Sequence, residues 1–268
     1  MERVSHHPSR AALLDGSHGA ERFDHAMDAG ALQRETDSLG IDESAVSSAS
    51  RFFDSGCTPL PYACFAHIPE GSVRLLALPI AGELASALLQ CANDCAERLR
   101  FTGARCFVQK RSCLHCTVSF LSLASETSYP ENNPSEALTL HSIVNSHCSP
   151  KLAPEQLALT RQGVLILTLS DRSGTLCSLR STIRQRFPCA PSKQPQIKHV
   201  TLLRILSAPD FDAARAACNA SIAVHQHIVA EQPPHMPAEA WLSTERIYST
   251  LEGETLPLPF GPVDMTES

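Results

Sequence analysis

The stretch Leu114-His115-Cys116-Thr117-Val118-Ser119-Phe120-Leu121 decides the fold of this chain. A partner stands 84 positions further on, Ile197-Lys198-His199-Val200-Thr201-Leu202-Leu203-Arg204-Ile205-Leu206. Both runs are rich in β-branched and aliphatic residues and read as short strands, and both carry His-x-Thr. Side chains alternate between the two faces of a strand. Strict alternation puts Leu114, Cys116, Val118 and Phe120 on one face and His115, Thr117 and Ser119 on the other. In the second run Val200, Leu202 and Leu206 go one way and His199, Thr201 and Leu203 the other, with Arg204 opposite His199 and outside the site. Each strand thus offers an imidazole and a hydroxyl to the same space. Two such strands facing one cleft would bring two titratable rings and two hydroxyl donors together.

The surroundings of the two runs repeat. A strand is predicted over 62–68, another over 73–78, and after Pro79 a helix over 82–100 whose apolar stripe is Leu84, Leu88, Cys91, Cys95 and Leu99. Cys91 and Cys95 have the spacing of a metal pair, but on that stripe they read as small core residues. A strand at 106–108 leads into the first His-x-Thr run. After a Ser/Pro/Asn-rich loop and a helix near 135–147, a hairpin turns at Arg161-Gln162-Gly163 between 157–160 and 164–169. A helix with the stripe Leu176, Leu179, Ile183 and Phe187 follows, capped by Asp171 or Ser173. A Pro-rich linker then enters the second run. Asp210 opens a helix to about 229, and a last strand is expected at 244–251. The order strand, helix, His-x-Thr strand therefore occurs twice. It implies an α+β fold of two similar lobes, each a small, mostly antiparallel sheet with helices outside, enclosing a central cleft. The expected division is a loose polar extension over 1–55 with one helix near 20–32, a bilobal domain over 56–260, and a tail over 261–268.

Composition narrows the function classes. The chain has 268 residues, 43% hydrophobic, enough for one large domain or two small lobes. A net charge of −6 argues against charge-driven binding along nucleic acid, while leaving room for one phosphate or RNA end in a local site. No apolar run is long enough to span a bilayer, and residues 1–10 lack the apolar core of a secretory signal. The 11 cysteines are irregularly spaced and odd in number, which suits free thiols in a reducing compartment, cytoplasm or nucleus. A monomer is expected. His6-His7 read as solvated histidines.

One bare His-x-Thr among 12 histidines means little; the matched pair in strand context means more. Here the chain resembles the two-histidine (2H) phosphoesterase superfamily, whose motifs are commonly His-x-Thr-Leu-x-Phe-Leu and His-x-Thr-Leu-x-Arg. This sequence has His115-Cys116-Thr117-Val118-Ser119-Phe120-Leu121 and His199-Val200-Thr201-Leu202-Leu203-Arg204, with Cys116 where aliphatic residues are usual. The likeness covers roughly residues 60–255. It implies a phosphodiesterase acting on a cyclic phosphate or phosphodiester of RNA or a small nucleotide, with no metal or cofactor required. His115 and His199 would be the catalytic acid–base pair, and Thr117 and Thr201 the phosphate-binding hydroxyls. Imidazole suits either proton role near neutral pH. The alternative is a non-catalytic module binding RNA or nucleotide in the same cleft. Two other readings share the first motif. Cys113 and Cys116 have zinc-knuckle spacing, but on a strand they point apart and no second Cys-x-x-Cys exists. Cys116 as a nucleophile fails because it faces away from His115. There is no phosphate loop of the P-loop type and no Gly-x-Ser-x-Gly elbow.

Overall fold

The computed structural model describes residues 29–69, 71–123 and 134–262. Among them the elements run α1 (Ala29–Leu39), α2 (Glu43–Ser50), β1 (Val73–Pro79), α3 (Gly82–Phe101), β2 (Arg105–Val108), β3 (His115–Ser122), α4 (Pro134–Asn145), β4 (Leu152–Leu159), β5 (Val164–Asp171), α5 (Thr175–Arg186), β6 (His199–Ser207), α6 (Phe211–Ala230), β7 (Glu239–Glu245) and β8 (Gly253–Pro259). The fold is α+β, with every strand pairing antiparallel.

The sheet order is β4-β5-β6-β3-β1-β7-β8, with β2 also on β6. It falls into two halves, β4-β5-β6-β2 and β3-β1-β7-β8. The two His-x-Thr strands are the inner strands, and they meet through a single residue pair, Cys116 with Val200. Behind the sheet lies the main core, where Leu76, Leu78, Cys116, Val118, Val200 and Leu202 meet the stripe of α3. That stripe (Leu84, Leu88, Cys91, Cys95, Leu99) is buried as expected, and Cys95 Sγ packs 3.2 Å from Cys218 Sγ of α6. Each large aliphatic side chain removed from water there contributes roughly 2 kcal/mol. Asp171 caps α5, its Oδ2 accepting from the amides of Leu176 and Cys177 at 2.9 and 3.2 Å.

Both motif strands break strict alternation at the same place. Between β1 and β3 the partners step from Leu76–Ser119 to Ala77–Thr117, leaving Val118 as an extra residue. Between β5 and β6 they step from Leu165–Leu203 to Ile166–Thr201, leaving Leu202 extra. A β-bulge shifts by one which side chains face a given side. The half-exposed residues are accordingly His115, Thr117 and Phe120 on β3, and His199, Thr201 and Arg204 on β6. Phe120 and Arg204 thus join the histidines, and Ser119 and Leu203 go to the other face, contrary to period-two alternation.

Other expectations change as well. Residues 62–68 form a short 3-10 turn at Tyr62–Cys64 and further turns instead of a strand. Prolines at 61 and 69 bracket this segment and limit its ladder donors. The last strand is two, β7 and β8, joined by a loop in which Ser249 and Leu251 have φ of 56° and 58°, outside strand geometry. Residues 29–50, expected to be loose, form α1 and α2. Gln33 Oε1 accepts from the Leu159 amide at 2.9 Å, and the Asp42 amide donates to Arg161 O at 2.7 Å. Val46 of α2 presses on the β4–β5 turn, where Gly163 has φ of 69° and a Cβ would stand 2.9 Å from Val46 Cγ2. The helix expected near 20–32 lies mostly outside the described residues, as do His6-His7.

Candidate active site

Cys116 and Val200 are cross-strand partners pointing into the core, so their neighbours on each strand point the other way. Extending that register by one residue sets His115 opposite Thr201 and Thr117 opposite His199. On that register the four Cβ atoms would mark a quadrilateral, about 5 Å across between strands and about 7 Å along them. The histidines occupy one diagonal and the threonines the other. All four are partly exposed, beside an apolar cluster that contains Leu75, Ala77 and Phe120.

The two imidazoles are held alike. His115 Nδ1 lies 2.8 Å from Cys113 O, and His199 Nδ1 lies 3.5 Å from Ile197 O. A carbonyl oxygen only accepts, so Nδ1 carries the hydrogen in each ring and Nε2 is left for a ligand. Both rings are enclosed on most sides. Burial lowers the pKa of His115, partly offset by its bond to the Cys113 carbonyl. Burial lowers that of His199 to about 4, with smaller downward pushes from His115 and Arg180. The influence of one ring on the other accords with their facing a shared space.

The inner edge of β3 diverges from β6 beyond Cys116, and side chains complete it. Arg180 of α5 donates from Nη2 to Thr117 O at 2.8 Å and from Nε to Val118 O at 3.0 Å. Gln194, in the linker before β6, accepts from the Phe120 amide at 2.9 Å and donates to Phe120 O at 2.9 Å, copying a strand neighbour. Its Oε1 also accepts from Ser119 Oγ at 2.9 Å. These two residues fix the bulged first motif and were not singled out in the sequence, because only the tertiary fold brings α5 and the linker to this edge. Arg204, set aside on alternation, stands over the ring of Tyr248 with Cζ 6.0 Å from its centroid.

Cys113 and Cys116 do not make a metal or nucleophile pair. Cys113 is buried in a 3-10 turn and Cys116 in the core, and burial pushes both thiols up, Cys116 to about 11. A thiolate is disfavoured at either position.

No protein-family model matches the chain, and no curated protein matches it. Solved structures do. A conserved protein of unknown function, ATU0111 from Agrobacterium tumefaciens, superposes with a TM-score of 0.53 at 13% identity, over 81% of this chain and 97% of that one. E. coli LigT complexed with NADP+ gives a TM-score of 0.41 at 18% identity, over 70% of this chain and 94% of its own. Kluyveromyces marxianus Usb1 with uridine monophosphate gives 0.40 at 12% identity, over 70% and 99%. The α+β fold of this chain is shared with the Agrobacterium protein.

Proposed function

We propose that this chain is a two-histidine phosphodiesterase that hydrolyses a cyclic phosphate or phosphodiester of RNA or a small nucleotide. The reading is supported by the Cys116–Val200 pairing, whose register extends to put His115 and His199 on opposite corners, and by the tie of each Nδ1 to a carbonyl. In-line displacement at phosphorus needs a base on the side of the attacking oxygen and an acid on the side of the leaving one. Rings on opposite corners meet that demand for a phosphate centred in the quadrilateral. A neutral ring takes a proton from water through Nε2, while the other, protonated, gives one to the leaving oxygen. After the product leaves, the first ring gives its proton to solvent and the second takes one up, so the pair ends as it began. Thr117 and Thr201, on the other diagonal, donate to the non-bridging oxygens, where negative charge builds. The surrounding protein strengthens those bonds by excluding water.

The test is turnover of nucleoside 2′,3′-cyclic phosphates, a 2′,5′-linked oligoadenylate and an oligouridylate, all with EDTA present. Wild type is compared with His115→Ala and His199→Ala. The expected result is hydrolysis of at least one substrate and loss of about three orders of magnitude in each variant. Equal activity in wild type and both variants would overturn the assignment. Tight nucleotide binding without turnover would make the chain a binding module that uses the same cleft.

A further inference from the structure

The two side chains that complete the inner edge of β3 differ in kind. At Phe120 the partner is Gln194, a neutral amide that accepts from the backbone N–H and donates to the carbonyl. At Thr117 and Val118 it is Arg180, whose Nη2 and Nε donate to the two successive carbonyls at 2.8 and 3.0 Å. Satisfying a carbonyl needs a donor and no net charge, as Gln194 shows. The guanidinium therefore brings to this point of the edge something that hydrogen bonding alone does not require.

The charge is costly where it stands. Arg180 is half-buried, and desolvation opposes its ionised form. Among the described residues no carboxylate pairs with it. Asp171, an acid in its neighbourhood, caps α5 instead: Oδ2 accepts from the Leu176 and Cys177 amides, and Oδ1 accepts from Ser173 Oγ at 2.8 Å. The other ionisable groups about Arg180 are Cys116 of β3, Cys177 and Arg184 on its own helix, and His199 of β6. None of them is a carboxylate.

The Thr117 carbonyl that Arg180 grips belongs to one corner of the site, and the register extended from Cys116–Val200 sets His199 opposite that corner. A phosphate held among the four corners would lie close to this charge without touching it. At such a separation two unit charges near a protein surface still change affinity about tenfold or more. The same charge discourages a proton on His199 until an anion arrives, and Arg180 does push the pKa of that ring down.

We propose that Arg180 is a positioning residue of this site. It fixes the Thr117 corner through its two backbone bonds and supplies the fixed positive charge that draws a phosphate onto the histidines. The proposal rests on the phosphodiesterase reading and extends it to a residue on α5, outside both motifs.

The test compares wild type with three variants. Arg180→Gln removes the charge, Arg180→Lys keeps it without the planar fork, and Gln194→Ala loosens the same edge with the charge in place. Inorganic phosphate is titrated into each while the imidazole C2 protons of His115 and His199 are followed by NMR. In parallel, kcat/KM is measured across pH on a nucleoside 2′,3′-cyclic phosphate. Arg180→Gln should weaken phosphate binding about tenfold and move the His199 titration to higher pH, with the pH profile of kcat/KM moving the same way. Arg180→Lys should recover most of the phosphate affinity while kcat stays low, because an ammonium lacks the fork that holds two carbonyls. Gln194→Ala should lower kcat/KM and leave the His199 titration as in wild type. Folded Arg180→Gln with unchanged phosphate affinity and an unchanged His199 titration would mean a merely structural arginine and overturn the proposal. So would a folded Arg180→Lys that loses phosphate affinity with its charge intact. If wild type hydrolyses no substrate, the phosphodiesterase reading fails, and the phosphate and His199 titrations alone decide Arg180.

Discussion

His199 is the sharpest point at which to press the structure. Placing a proton on it inside the cleft is opposed first by burial and then by the nearby His115 and Arg180, and only the Ile197 carbonyl helps. The fall from 6.5 to about 4 corresponds to about 3 kcal/mol. Two consequences follow from the sign. The unfolded chain takes up this proton before the folded one does, so His199 leaves stability at its full value above pH 6.5. That contribution declines as the pH drops through 6.5 toward 4, by up to about 3 kcal/mol. In catalysis, His115 is shifted the same way. Both limbs of the pH profile of kcat/KM should therefore lie below 6.5, since that profile reports the free enzyme. A bound phosphate anion stabilises imidazolium, so the limbs of kcat should sit higher. The assay is an NMR titration of the imidazole C2 protons, assigned with His115→Ala and His199→Ala, repeated with inorganic phosphate. Urea unfolding of wild type and His199→Gln at neutral and acid pH completes it, the variant losing part of the acid slope. A His199 resonance titrating at or above 6.5 in the free protein would refute the reasoning, as would a kcat/KM maximum on the alkaline side of neutral.

Three further outcomes are expected. Thr117→Val and Thr201→Val keep the β-branched shape and remove the hydroxyl, so each should lower kcat by about a hundredfold with little change in melting temperature; steady-state kinetics and calorimetry check both. Gln194→Ala strands the amide and carbonyl of Phe120 and should cost about 1–3 kcal/mol in denaturant unfolding, with a parallel loss of kcat/KM as the first motif loosens. Glu245 is buried at the end of β7, where its carboxylate accepts from the Leu251 amide and Tyr62 hydroxyl, and burial raises its pKa from 4.5 to about 7. The folded state holds that proton longer than the unfolded one, so stability should fall as pH rises from 4.5 to about 7, by about 3 kcal/mol, and Glu245→Gln should flatten this part of the curve.

The motif strands, the helix stripes and the doubled order were legible because each is a local periodicity. Leu84, Leu88, Cys91, Cys95 and Leu99 declare a helix face whatever surrounds them, and all five are buried. What was hidden depends on partners. A bulge is set by which residue pairs across the ladder, so nothing within Thr201-Leu202-Leu203-Arg204 alone announced that Arg204 would share a face with His199. The adjacent apolar pair Leu202-Leu203, both fully buried, is the trace such a bulge leaves. The strand expected over 244–251 misread a loop whose shape is held by the Glu245 carboxylate, a tertiary cause. Residues 29–50 looked loose because their apolar positions are few. Val46 alone is buried in α2, and it is seated by a glycine more than a hundred positions later.

The single backbone pair between β3 and β6 also bears on motion. An ordinary ladder locks two strands by many bonds in parallel, and neither can swing without breaking all of them. Here one rung at Cys116–Val200 joins the halves, and the remaining inner-edge groups of β3 are held by Arg180 and Gln194, whose side chains can follow a moving strand. The seam is therefore the weakest part of the ladder, with the halves tied by the shared core behind it, and the two histidines sit on it.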